Sequence, residues 1–296
     1  MPLLPYFAYG SNLSAAHWPD WCAARGLPPD ALTPLCRAWL PDHRLALNYY
    51  SHTHRAGAAN IMAAPGQRVP GHLFSISPAQ LAALDAKESH PSTYTRTECL
   101  VLADTGEEVL ALTYAVAPAM RRPFTPPTQT YRSRIEDGYR DRGLTSELPL
   151  LEQAVAGSDA PAGQPGLFVY GTLREGQRNA PFLERLGVVE RQPAELSGRL
   201  WDFGRYPGVV FWPPAGEGES VVGERIQLSR PEEALAALDV LEGFPGWSVA
   251  GGKYRRTLVS LGSERVWAYQ IQATDGGVRV VGGDWVRARG GRPPGR

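Results

Sequence analysis

Two short apolar runs in the chain end in a glycine. Tyr6-Phe7-Ala8-Tyr9 precedes Gly10, and Leu167-Phe168-Val169-Tyr170 precedes Gly171. Each predicts a strand that stops at a turn. A hydroxyl follows each glycine, Ser11 and Thr172, with a leucine close behind. Further on, Leu81 with Leu84, and Leu235 with Leu238, recur at helical spacing. Ser77 lies three residues before Gln80, and Ser229 three before Glu232, so both serines are expected to cap these helices. The helices are expected to run out at Glu88 and Glu242, because Ser89-His90-Pro91 and Gly243-Phe244-Pro245 cannot continue them. Residues 44–50, 98–103, 108–116, 256–261 and 266–271 alternate or run apolar as strands. Helical patterns at 130–142 and 147–155 occur in the first half alone.

These elements amount to one unit written twice. The segment from Gly71 to Glu88 matches that from Gly223 to Glu242, and each lies at a similar distance from its strand and turn. Residues 157–166 have no apolar period and are rich in Gly, Pro and Ser, which predicts a linker. The expected organisation is a domain over 1–156, the linker 157–166, a second domain over 167–287 and a disordered tail over 288–296. The whole length of 296 residues, 43% of them hydrophobic, suffices for two cores.

Thirty basic residues balance thirty acidic ones, so no bulk field draws the chain to nucleic acid or anionic lipid, and neither is expected as a partner. Cys22, Cys36 and Cys99 lie apart without zinc-site spacing, as expected of free thiols in a reducing compartment. No signal-peptide order and no membrane-length apolar run are seen, and a cytoplasmic location is the expectation. Metal-ligand clusters, phosphate loops and dinucleotide-binding signatures are missing too, so neither metal nor cofactor is expected.

The remaining chemistry is that of carboxylates and backbone. A strand that ends at glycine leaves main-chain N–H groups free to receive a small anion, and Gly10 and Gly171 allow close approach; alternatively, Ser11 and Thr172 simply cap a turn. Glu88 and Glu242, each at the negative end of a helix, suit general acid/base work if recessed. Either one alone reads as a surface glutamate, but two at equivalent positions point to a site. Each is followed by a Tyr-x-Arg segment, Tyr94-Thr95-Arg96 and Tyr254-Arg255-Arg256, whose tyrosine is expected to lie in a strand against the site.

The first unit resembles gamma-glutamylcyclotransferases through Tyr6-Phe7-Ala8-Tyr9-Gly10-Ser11-Asn12-Leu13, Leu84-Asp85-Ala86-Lys87-Glu88 and Pro126-Pro127-Thr128-Gln129-Thr130-Tyr131. The second is similar to the related gamma-glutamylamine cyclotransferase and AIG2-like branch through Val169-Tyr170-Gly171-Thr172-Leu173-Arg174, Asn179, the run from Leu238 to Gly243, Tyr254-Arg255-Arg256 and Gly283-Asp284-Trp285. The resemblance implies an α+β fold of two tandem gamma-glutamylcyclotransferase-like domains, each a small mixed β-barrel with flanking helices. It implies a small-molecule gamma-glutamyl substrate whose α-amino group attacks its own side-chain amide, releasing 5-oxoproline and an amine or amino acid. Glu88 and Glu242 are then the acid/base groups. Tyr9, Gly10, Ser11, Asn12 and Leu13 with Tyr131 in the first unit, and Tyr170, Gly171, Thr172, Leu173 and Arg174 in the second, are the implied binding residues. Tyr131 carries over as a hydroxyl in the first site only, and Arg174 adds charge beside the second turn. Ser89 follows Glu88 where the family often has glycine, and it is expected to perturb that loop. Rival readings are a single catalytic unit beside a scaffold, a non-enzymatic gamma-glutamyl metabolite-binding protein, and cysteine-dependent amide hydrolysis.

Overall fold

In the computed structural model the described residues are 3–27, 32–158, 165–211, 219–247 and 249–290. Residues 159–164 of the expected linker and 291–296 of the expected tail lie outside them. The chain divides into two compact units, Met1–Gly163 and Gln164–Arg296. Among the described residues no helix is long and apolar enough to cross a membrane.

In the first unit, β1 (Leu4–Ala8) runs through a 3-10 turn (Ser11–Leu13) into α1 (His17–Ala23). Two long strands follow, β2 (Thr33–Ser51) and β3 (Ala56–Ile76), then α2 (Pro78–Lys87), β4 (Tyr94–Ala103), β5 (Glu108–Val116), α3 (Gln129–Asp141) and α4 (Leu148–Val155). The strands close a barrel in the order β1-β3-β2-β4-β5. β2 bends around it through register shifts at Pro34/Cys36, Pro41/His43 and Leu47/Tyr49. Closure between β2 and β4 rests on two pairs, Ala38 with Ala103 and Trp39 with Leu102.

The second unit comprises β6 (Leu167–Val169), α5 (Ala180–Arg185), β7 (Val188–Ser197), β8 (Arg199–Asp202), β9 (Pro207–Val210), β10 (Ser220–Leu228), α6 (Pro231–Glu242), β11 (Tyr254–Leu261), β12 (Glu264–Ile271), β13 (Val278–Arg279) and α7 (Trp285–Ala288). Its main sheet, β11-β12-β6-β10-β7, repeats the strand order of the first barrel but is open where β2 and β4 pair in the first unit. Among the described residues the expected barrel is therefore hydrogen-bonded shut only in the first unit. The physical reason lies at Gly198, which separates β7 from β8 and donates its N–H to Glu219 O at 3.2 Å. Beyond this break β8 joins β9 and β13 in a three-stranded sheet. Phe168, Leu200, Val209, Val221, Val266 and Trp285 fill the core of this unit.

Both units share a close approach that only glycine permits. A Cβ on Gly71 would lie 2.3 Å from Ala8 O and 2.6 Å from the Phe7 ring; one on Gly223 would lie 2.4 Å from Val169 O and 2.5 Å from the Phe168 ring. The first strand of each unit thus sinks its phenylalanine against a glycine of the neighbouring strand, a few residues before the turn.

The two helices that carry Glu88 and Glu242 start differently and end alike. Ser77 forms a complete capping box with Gln80. Ser229 does not cap α6: Pro231 occupies the first turn, the cap is Arg230, and Ser229 N–H donates to Gly187 O at 2.9 Å. At the other end Gly243 is left-handed at φ 66° and Ser89 at φ 52°. Ser89 therefore keeps the exit turn it was expected to disturb, but as a side-chain-bearing residue in a region that disfavours one. Ser89→Gly is expected to stabilise the first unit by about 1 kcal/mol. Calorimetric melting of the full chain checks this: the transition of the first unit should move up, and Gly243→Ser should move that of the second unit down.

Candidate active sites

Each unit has a hollow between its first strand-turn and the exit of its long helix. The first, of about 40 Å³, is lined by Tyr9, Gly10, Ser11, Asn12, Glu88 and Tyr131, together with Tyr6, Tyr94 and Tyr114. The second, of about 150 Å³, is lined by Tyr170, Gly171, Thr172, Leu173, Glu242 and Tyr254, with Tyr206, Arg178 and Lys253 at its side. Both glutamates are half-buried.

The same scaffold supports both hollows. Tyr114 donates its hydroxyl to Asp85 Oδ1 at 2.7 Å, and Arg96 Nη1 reaches Asp85 Oδ2 at 2.6 Å. In the second unit Tyr269 donates to Asp239 Oδ1 at 2.6 Å, and Arg256 Nη1 lies 3.6 Å from Asp239 Oδ2. These aspartates lie three residues before Glu88 and Glu242, on the same helix face, so each pins the last turn of its helix to the strands. Tyr9 donates to Tyr114 O at 2.6 Å, and Tyr170 to Tyr269 O at 2.7 Å, which ties the strand-turn to the same point. Tyr94 donates to Ala59 O at 2.8 Å and Tyr254 to Pro207 O at 2.5 Å, closing the far wall. Sequence reasoning missed the aspartates and Tyr114 and Tyr269. A signal was available, because Asp85 and Asp239 occupy equivalent positions in the repeat.

In each turn two main-chain N–H groups, those of Ser11 and Asn12 and those of Thr172 and Leu173, have no partner among the described residues. The next amide is used within the turn: Leu13 N–H donates to Gly10 O and Arg174 N–H to Gly171 O, both at 3.0 Å. Two residues named from sequence stand outside the hollows. Leu13 is fully buried under its turn, against Gly138 of α3. Arg174 is engaged by Asp284 at 2.8 Å and lies 3.6 Å from Glu224, so its charge is neutralised by the protein itself. Tyr131 does line the first hollow, and its hydroxyl accepts from Ala59 N–H at 3.1 Å.

The surroundings of the two glutamates differ. Asn12 Nδ2 donates to Glu88 Oε1 at 3.0 Å and lies 2.8 Å from the Tyr6 hydroxyl, while Lys87 Nζ donates to Asn12 Oδ1. Burial lowers the Lys87 ammonium to about 8 against the opposing pull of Glu88. The equivalent positions in the second unit are Leu167, Leu173 and Leu241. Without polar partners there, burial pushes the Glu242 carboxyl up to about 7, partly offset by Lys253. The tyrosines stay protonated: burial raises Tyr131 to about 12 and Tyr9 and Tyr170 well above their ordinary value. The cysteines are free and line neither hollow, and burial raises the Cys99 thiol to about 12, which disfavours the thiolate that cysteine-dependent hydrolysis requires.

With its carboxyl raised, Glu242 holds a proton in the folded state that the unfolded chain has already released. Its contribution to stability is complete below the ordinary carboxyl range and is lost as pH climbs through about 7. Glu242→Gln removes that loss. The variant should melt above the parent at about pH 8 and close to it at about pH 4, a comparison that thermal denaturation at the two pH values provides.

The family model described as "Gamma-glutamyl cyclotransferase, AIG2-like" matches residues 6–138 and again 167–287. A putative gamma-glutamylcyclotransferase of Vibrio cholerae is 35% identical over 125 residues, covering 41% of this chain and 95% of the relative. Gamma-L-glutamyl-butirosin B gamma-glutamyl cyclotransferase of Niallia circulans is 40% identical over 83 residues, covering 28% of this chain and 48% of the relative. Human gamma-glutamylcyclotransferase is 29% identical over 161 residues, covering 52% of this chain and 79% of the relative.

Proposed function

Because the chain belongs, in both of its units, to the gamma-glutamyl cyclotransferase, AIG2-like family, we propose that each hollow cyclises a gamma-glutamyl amide to 5-oxoproline. The observation that carries this reading is the recurrence of a half-buried glutamate opposite a pair of free turn amides on one Asp–Tyr–Arg scaffold.

In this mechanism the α-carboxylate of the substrate accepts hydrogen bonds from the N–H groups of Ser11 and Asn12, or of Thr172 and Leu173. The glutamate takes a proton from the α-ammonium group. The freed amine attacks the side-chain amide carbon, and a ring N–C bond forms as the bond to the leaving nitrogen breaks. The same glutamate returns that proton to the leaving nitrogen, and the second proton, shed by the ring nitrogen as it becomes the lactam N–H, follows by the same route, so the amine leaves as an ammonium ion and no water is consumed. Nucleophile and electrophile belong to one molecule, so most of the acceleration comes from holding the folded conformer and relaying the two protons that the α-ammonium group gives up. The protonated tyrosines supply neutral hydrogen-bonding walls. The larger second hollow suits a bulkier leaving amine.

Glu88→Gln and Glu242→Gln are each expected to remove the share of 5-oxoproline made by one unit, and the double variant to lose about 100-fold or more. Mass spectrometry of 5-oxoproline from a panel of gamma-glutamyl amides checks this; full activity in the double variant contradicts the role of the glutamates. The Glu88→Gln chain, working through Glu242 alone, should gain rate as pH rises through about 7 and level off above it, because Glu242 has to be ionised to accept the proton.

A further inference from the structure

Lys87 closes α2, one residue before Glu88. A lysine in the last turn of a helix ordinarily extends into water and complements the helix dipole. This one is half-buried, and its Nζ donates to Asn12 Oδ1 in the turn after β1. Among the described residues Lys87 Nζ has no other hydrogen bond and no ion pair. Asn12 is buried, and every polar atom of its side chain is engaged: Oδ1 accepts from Lys87, while Nδ2 donates to Glu88 Oε1 at 3.0 Å and to the Tyr6 hydroxyl at 2.8 Å. Glu88 lines the hollow, and its Oε2 has no partner among the described residues.

The groups at the two ends of this chain dictate how the amide stands between them. An ammonium group offers only donors and an ionised carboxylate only acceptors. Turning the Asn12 amide over would set its NH2 against the Lys87 charge and its oxygen against Glu88, so both contacts would become repulsive. With Lys87 protonated, a single orientation is open to Asn12, and it is the one that holds Oε1 and leaves Oε2 for the substrate. The placement works against the lysine itself. Burial holds its ammonium down to about 8; Glu88 on its own helix and Cys22 of α1 oppose that, while Arg134 of α3 and Arg25 after α1 add to it. His17 of α1 and His54 of the turn between β2 and β3 also feel its charge. A cation kept in such surroundings needs a purpose at its one contact. The second unit gives an independent indication, because Leu167, Leu173 and Leu241 replace Tyr6, Asn12 and Lys87 together.

We propose that Lys87 is a positioning residue for the cyclisation: its ammonium group locks the Asn12 amide, which in turn fixes the Glu88 carboxylate with one oxygen left for the substrate. This rests on the cyclisation reading of the first hollow. Lys87 acts through Asn12 and touches no reacting atom. Once deprotonated, its neutral amine accepts as well as donates, so the amide is free to turn and the lock is lost. The first unit should therefore slow as pH rises through about 8, whereas the second unit, with leucines at these positions, should hold its rate there.

The test follows 5-oxoproline formation from gamma-glutamylalanine by the full chain carrying Glu242→Gln, in which the first unit works alone. Lys87→Met should lower kcat at about pH 7 by roughly tenfold, with KM within about twofold. Lys87→Arg, which stays charged, should restore part of kcat and remove the slowing near pH 8; the ionisation of the substrate is common to all variants. In an Asn12→Leu background, Lys87→Met should change kcat no further. A loss confined to KM, an undiminished effect of Lys87→Met beside Asn12→Leu, or an alkaline slowing that persists in Lys87→Arg overturns the proposal. Should Lys87→Met not fold, the pH profiles of the parent and of Lys87→Arg decide it. If the Glu242→Gln chain makes no 5-oxoproline at any pH, the cyclisation reading of the first hollow fails, and the lock is then decided without activity. Lys87 and Lys253 are the only lysines, so carbon-13 labelling of the lysine Cε gives two NMR signals, which Lys253→Arg assigns. A Lys87 signal with its midpoint near pH 8 that falls further in Asn12→Leu supports the lock; a midpoint at the ordinary lysine value, or one that Asn12→Leu leaves unmoved, overturns it.

Discussion

The hydrogen bond from Tyr114 to Asp85, and its counterpart from Tyr269 to Asp239, determines where each long helix stops relative to the strands. A carboxylate at a helix exit is ordinarily solvated and mobile. Here the residue one turn earlier is fastened to a strand, and the strand's own carbonyl is held by Tyr9 or Tyr170 from the turn opposite. Three separate stretches of chain thus converge on one backbone position in each unit. The glutamate and the free turn amides face a common hollow because neither the helix nor the turn can move without breaking that junction.

On this common scaffold the two hollows have diverged electrostatically. In the first, an amide, an ammonium group and a phenol form a connected polar chain around Glu88. In the second, leucines stand at the matching positions and the carboxyl is driven toward neutrality by desolvation. A duplicated site with one polar and one apolar lining can hold the same reacting group while treating pH and leaving group differently.

The barrel shows a related divergence at the level of backbone. Its closure in the first unit depends on two residue pairs between β2 and β4, and the second unit dispenses with that seam when the chain breaks at Gly198 and builds another sheet. The hollow survives in both because it is made by β1 or β6, by the helix exit and by the last two strands of the sheet. The closing seam lies at the other end of β4, at Leu102 and Ala103, and its residues do not line the hollow.

Much of this was legible in the sequence, for local reasons. The apolar runs ending at Gly10 and Gly171, the leucine stripes and the prolines after Glu88 and Glu242 act over a few residues, so they fixed the turns, the helix exits and the duplication without reference to the rest of the fold. β3 was largely illegible, because its glycines and prolines at 57, 65, 66, 70 and 71 read as breaks until the strand is seen wrapping a barrel. The α6 cap was misread by one residue, since Pro231 rather than Ser229 sets the first turn. Arg174 looked like a free cation because Asp284, 110 residues away, gives no local sign of pairing with it. The same limit hid the Asp–Tyr junctions. Sequence by itself determined which backbone conformations recur and which acids sit at helix ends, since propensity and capping are short-range. Only the tertiary structure decided which charges are paired, which are desolvated and which are left facing a hollow, because burial and electrostatic neighbours come from segments far apart in the chain.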